Sequence, residues 1–105
     1  MKIQVNTDKN IEGHKALVAH VEATVASSLS RFSTHITRVE VHLSDENGGK
    51  NGQHDKRCMM EARLEGRQPT AVTCEASTLD QAVAGAADKL KSCLTSTVDR
   101  LREHR

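Results

Sequence analysis

The sequence predicts an α+β fold in the order β-α-β-β-β-α, a four-stranded sheet carrying two helices on one face. Three observations lead there. Two long segments repeat apolar residues every three or four positions, several short ones alternate apolar with polar, and turn-forming residues separate them. The size agrees, because 105 residues suffice for one small domain and not for two independent cores. We expect a single domain over residues 1–105.

Ile3 and Val5 alternate with Lys2, Gln4 and Asn6, which gives a short opening strand. From Gly13 to Arg31 the period lengthens. Leu17, Val21, Val25, Leu29 and Phe32 fall on one stripe of an amphipathic helix. Val39, Val41 and Leu43, led in by Ile36, then alternate with Arg38, Glu40, His42 and Ser44, so a strand with one buried face follows. Cys58, Met60, Ala62 and Leu64 repeat the pattern, and Gly66 and Pro69 supply a turn in which Gly66 is free to take positive φ. Val72, Cys74 and Ala76 form the inner face of the last strand.

Thr78, with Gln81 three residues later, resembles a capping box and opens a second helix. Its stripe is Leu79, Val83, Ala86, Leu90, Leu94, Val98 and Leu101. Gly85 in mid-helix costs about 1 kcal/mol against alanine, so a close approach to neighbouring backbone is expected there. The polar residues Arg38, Glu40, His42, Glu61, Arg63, Thr73 and Glu75 should leave the opposite sheet face wet.

Composition narrows the function. Fifteen lysines and arginines against fourteen carboxylates give no global field toward nucleic acid or lipid, so any such binding needs a local patch. Phe32 is the only aromatic among Phe, Tyr and Trp, which argues against recognition of single strands by base stacking. There is no apolar run long enough for a membrane span and no signal-peptide pattern. Three widely spaced cysteines fit a reducing, cytoplasmic setting better than a disulfide framework.

The stretch "SDENGGKNGQHDKRC" from Ser44 to Cys58 concentrates carboxylates, imidazole and thiol. Calcium fails because Lys50 holds the sixth position of the loop and Asp55 falls one short of the twelfth. A phosphate loop fails because Ser44 replaces the first glycine and Asn51 the magnesium-holding hydroxyl. His54, Asp55 and Cys58 fall short of four zinc ligands, and the periodicity points Cys74 and Cys93 inward. The stretch is expected to be a hydrated connection between strands. The scattered histidines and cysteines form no nucleophile–base arrangement. The chain is therefore expected to be no enzyme, with no cofactor, metal or small-molecule substrate.

Cations remain. The second helix offers Lys89, Lys91, Arg100, Arg102 and terminal Arg105, the first Lys15 and Arg31, and Lys56, Arg57, Arg63 and Arg67 surround the third strand. Phosphates of folded RNA are recognised by such groups on a rigid surface.

The element order, "LSRF" and "THI" between Leu29 and Ile36, the "VEVHL" strand, and above all "TLDQAVAGAADKLKSCLTSTVDRL" from Thr78 resemble the ribosome hibernation promoting factor family. That family is also called ribosome-associated inhibitor A, protein Y or the sigma-54 modulation proteins. The resemblance implies a double-stranded-RNA-binding-domain-like fold and a cytoplasmic bacterial stress protein that binds the small ribosomal subunit through 16S rRNA and regulates translation and hibernation. By position, Lys89, Arg100 and Arg102 would carry rRNA binding, with Arg31 the best candidate on the first helix and Lys91 alongside. Thr24, Ser27, Ser92, Ser96 and Val98 stand where better-known members have further cations, which implies weaker binding with a shallower salt dependence. The loop is also longer than in familiar short members. A second reading is a protein-interaction module or homodimer, pairing through an edge strand without RNA binding.

Overall fold

The protein is described by a computed structural model over residues 1–8, 11, 14–45 and 55–103, excluding the side chains of 14 and 101–103. The elements are β1 (Lys2–Thr7), α1 (His14–Ser28), β2 (Ile36–Asp45), β3 (Lys56–Leu64), β4 (Thr70–Ala76) and α2 (Leu79–Glu103), with a 3₁₀ turn at Ser30–Phe32. This is the expected α+β order. The strands lie side by side as β1-β2-β3-β4.

β2, β3 and β4 form the antiparallel meander that their alternation predicts, with Val41 opposite Met60 and Met60 opposite Val72. β1 adds to β2 in parallel, Ile3 facing Val39 and Val5 facing Val41. Parallel neighbours need a crossover, and α1 provides it. Both helices then run opposite to β2 and pack on one face. α2 lies over β4 and β3, while α1 lies over β1 and against α2.

The predicted stripes form the core. Val21, Val25, Leu29 and Phe32 meet Val39, Val41, Leu43, Met60 and Ala62, and these meet Val83, Ala86, Leu90 and Leu94. Leu17, Val72, Cys74 and Leu79 are half-buried against that cluster. Ala82 and Ala87 are also buried, so α2 buries a wider band than leucine and valine spacing indicates. Small side chains let the helix sit close to the sheet.

Three expectations change. The first helix stops at Ser28 instead of reaching Arg31. Its last turn tightens, with the Phe32 N–H donating to Leu29 O at 2.9 Å, and i,i+3 geometry puts Leu29 and Phe32 on the same side, both buried. The connection after β2 is also shorter than expected. Ser44 pairs with Arg57 and Asp45 with Lys56, so both ends of the stretch belong to the ladder and Cys58 lies wholly in the core. Residues 46–54, including His54, lie outside the described residues. Finally, Cys93 is exposed on α2 instead of pointing inward, because it falls beside the buried band.

The local signals at the turns hold. Gly66 adopts φ 71°, and the Arg67 N–H donates to Leu64 O at 3.1 Å across the turn. Thr78 Oγ1 accepts from the Gln81 N–H at 3.1 Å, satisfying one of the amide groups left over at the start of α2. A Cβ built on Gly85 would overlap the Cys74 Sγ. The close approach is real, but the neighbour is a side chain of β4 and not backbone.

Candidate nucleic-acid interface

α2 presents Lys89, Lys91 and Arg100 to solvent, because its buried band occupies the face toward the sheet. Lys89 and Arg100 stand eleven positions apart, about three turns, and therefore share one flank of the helix. The same flank carries Gly85 against Cys74 of β4. The Lys89 Nζ donates to Thr73 O at 2.8 Å. An ammonium has three N–H groups, so this bond fixes the side chain over β4 and leaves two donors for an outside acceptor.

Lys91 lies on the order of 200° around the helix from Lys89. Its flank is that of Asp80, whose Oδ1 meets His20 Nε2 of α1 at 3.2 Å, so it borders the groove between the helices. Arg102 occupies the same line in the last turn of α2; its side chain lies outside the described residues. Arg31, exposed in the 3₁₀ turn, has its guanidinium 4.9 Å from the Phe32 ring centroid. Chain direction puts Arg31 and the C-terminal half of α2 at the same end of the helical layer. The sequence-derived cations thus occupy both flanks of α2 and the 3₁₀ turn after α1, and are not gathered in one line.

Pairing separates these cations from those of the sheet. Arg38 is paired with Glu40 and Arg63 with Glu61 at 3.7 Å. Lys56 bridges Asp45 at 3.2 Å and Asp55 at 3.1 Å. Among the described residues no carboxylate pairs with Lys89, Lys91 or Arg100, although Asp88 and Asp99 neighbour two of them in sequence. Charges already neutralised within the protein have little left for a phosphate. Lys89, Lys91 and Arg100 keep theirs.

The Lys56 cluster engages the described ends of the loop. Asp45 and Asp55 are buried, and their hydrogen bonds, Asp55 first and Asp45 second, hold the Lys56 ammonium above the usual lysine pKa. Asp8 Oδ2 accepts from the Asp45 N–H at 3.1 Å, which ties the end of β1 into the same corner. Asp55 is thus engaged as a lysine partner, and Cys58 points into the core. Among the described residues no group of three metal-binding side chains converges. Sequence reasoning missed this corner; its signal was the opposite charges at Asp45 and Lys56, one on each side of the polar connection.

A family model described as sigma 54 modulation protein / S30EA ribosomal protein matches residues 3–102. The chain belongs to that family. Two solved structures share the fold of this family member. The Thermus thermophilus protein Y N-terminal domain aligns with TM-score 0.72 and 24% identity, covering 92% of this chain and 99% of its own. A ribosomal subunit interface protein from Coxiella burnetii aligns with TM-score 0.69 and 16% identity, covering 94% and 99%. No curated protein matches the chain. Among the described residues of this S30EA family member, no helix is long and apolar enough to cross a membrane.

Proposed function

We propose that this protein is a non-enzymatic, cytoplasmic regulator of translation that binds the small ribosomal subunit through 16S rRNA in a bacterial stress response. It acts as one domain over residues 1–105. Family membership supports ribosome association, and the names of its structural relatives agree with it. The observation that carries the rRNA reading is the contrast in pairing: the sheet's cations Arg38, Arg63 and Lys56 are neutralised, while Lys89, Lys91 and Arg100 on α2 meet no carboxylate among the described residues. Lys89, Arg100, Arg102, Arg31 and Lys91 are the proposed phosphate contacts. Their spread over two flanks and one end suits a curved backbone better than a flat one. The mechanism is occupancy: rigid cations replace counterions on rRNA, and the bound domain occludes the surface it covers.

The test is pelleting with small subunits across a salt series, comparing the wild type with the combined Lys89→Glu, Arg100→Glu and Arg102→Glu protein. Binding should weaken with salt, and the variant's log–log slope should be shallower by about three, one per lost phosphate contact. Pelleting untouched by the triple change removes these residues from the interface. A concentration-dependent dimer with no RNA affinity replaces the proposal with the interaction-module reading.

A further inference from the structure

Cys58 and Cys74 stand directly opposite one another in the antiparallel β3–β4 ladder. Both occupy the helix-facing side of the sheet, Cys58 within the core and Cys74 half-buried against it. Directly opposed residues in an antiparallel pair have Cα atoms about 4.5–5.5 Å apart, inside the roughly 4.4–6.8 Å span that a disulfide requires. Both thiols are free. The third, Cys93, is exposed on α2.

We propose that Cys58 and Cys74 form a dithiol modification site that closes to a cross-strand disulfide on exposure to a small peroxide. The surroundings assign the two roles. Cys58 is wholly buried, and burial first, then the neighbouring Cys74, push its thiol up to about 12. It stays protonated while Cys74 meets the oxidant. Cys74 sits on an edge strand with its Sγ against Gly85, where the missing Cβ leaves the sulfur its place.

The Cys74 thiolate attacks one peroxide oxygen. An S–O bond forms, the O–O bond breaks, and hydroxide leaves and takes up a proton as water. The Cys58 sulfur then attacks the Cys74 sulfur, the S–O bond breaks, and the hydroxyl departs as water with the Cys58 proton. Two thiols and one hydrogen peroxide give one disulfide and two waters. The bond draws the Cys74 sulfur toward β3 and away from Gly85, so oxidation changes the contact on which α2 rests.

The proposal does not rest on ribosome binding, and its test needs no ribosome. The Cys93→Ser protein, changed only at an exposed position, is treated folded with hydrogen peroxide and its thiols are titrated after denaturation. Two thiols per chain should fall to none, with the protein still monomeric on a non-reducing gel. Trypsin without reductant should release residues 58–63 joined to residues 68–89, a pair that reductant separates. Thiols that persist, sulfinic acid at Cys74 beside a free Cys58, or disulfides found only between chains would overturn the proposal. Cys58→Ala added to the Cys93→Ser protein, checked for folding by circular dichroism, should stop Cys74 at the sulfenic acid, which dimedone traps; a Cys74 that takes up no dimedone after peroxide equally overturns the proposal.

Discussion

At the scale of single residues, the contacts that matter join segments far apart in sequence. Gly85 is the clearest. A methyl there would raise helix propensity by about 1 kcal/mol, yet it would overlap the Cys74 Sγ, and overpacking costs about 1–3 kcal/mol. Gly85→Ala should therefore lower stability by about 1 kcal/mol in urea unfolding. Adding Cys74→Ala should recover part of that loss, since the two positions are coupled through one contact. Lys56 gives a pH prediction. Its pKa is raised by Asp55 and Asp45, so its stabilising contribution is fully present below about 10.4, the value of a free lysine, and disappears as pH climbs through the higher folded value. Lys56→Gln should lower the midpoint of thermal unfolding at pH 7, and the gap from wild type should narrow in alkali beyond that range. Gly85 announced a close approach in the sequence, but the identity of its neighbour did not, because only packing brings β4 beneath α2.

Among the elements, α2 was the most legible and α1 the less so. Thr78, Gln81 and the Leu90, Leu94 and Val98 spacing mark α2 almost to the residue, because cap and stripe are local signals. Thr78→Ala should cost about 1 kcal/mol, measured by chemical denaturation. α1 ends early because Phe32 has to turn into the core, a demand from outside the helix. For function, the relevant property of α2 is that its cations divide between flanks. Lys89 is tied to Thr73 O, so changing it disturbs the packing on β4 as well as the charge. Lys91→Glu with Arg100→Glu leaves that bond in place. This double change should weaken small-subunit binding with little change in unfolding midpoint, which pelleting and calorimetry together would read. A parallel loss of stability and binding would assign these two residues to folding instead.

For the whole molecule, charge distribution outweighs charge sum. A net charge of +1 conceals sheet cations, Arg38, Lys56 and Arg63, that nearby carboxylates neutralise, and helix cations, Lys89, Lys91 and Arg100, that no carboxylate among the described residues does. Binding through so few free cations should show a shallow salt slope, on the order of one unit of log affinity per unit of log salt for each phosphate contact. A slope steeper than five, the number of proposed contacts, would mean that further cations reach RNA. The candidate site was readable as residue types on named helices; its layout was not. Position 89 and position 91 look equivalent in the sequence, yet one borders β4 and the other borders α1.

The amino-acid sequence by itself determined the element types, their order, most of the core residues and the Thr78 cap, since each follows from periodicities and turn chemistry within a few residues. The tertiary structure alone decided that β1 joins β2 in parallel, that Cys58 meets Cys74, that Lys56 gathers Asp45 and Asp55, and that the α2 cations part to either side. The reason is physical. Strand register, helix rotation and ion pairing minimise the energy of the assembled layers, and no local stretch of chain contains the partners that set them.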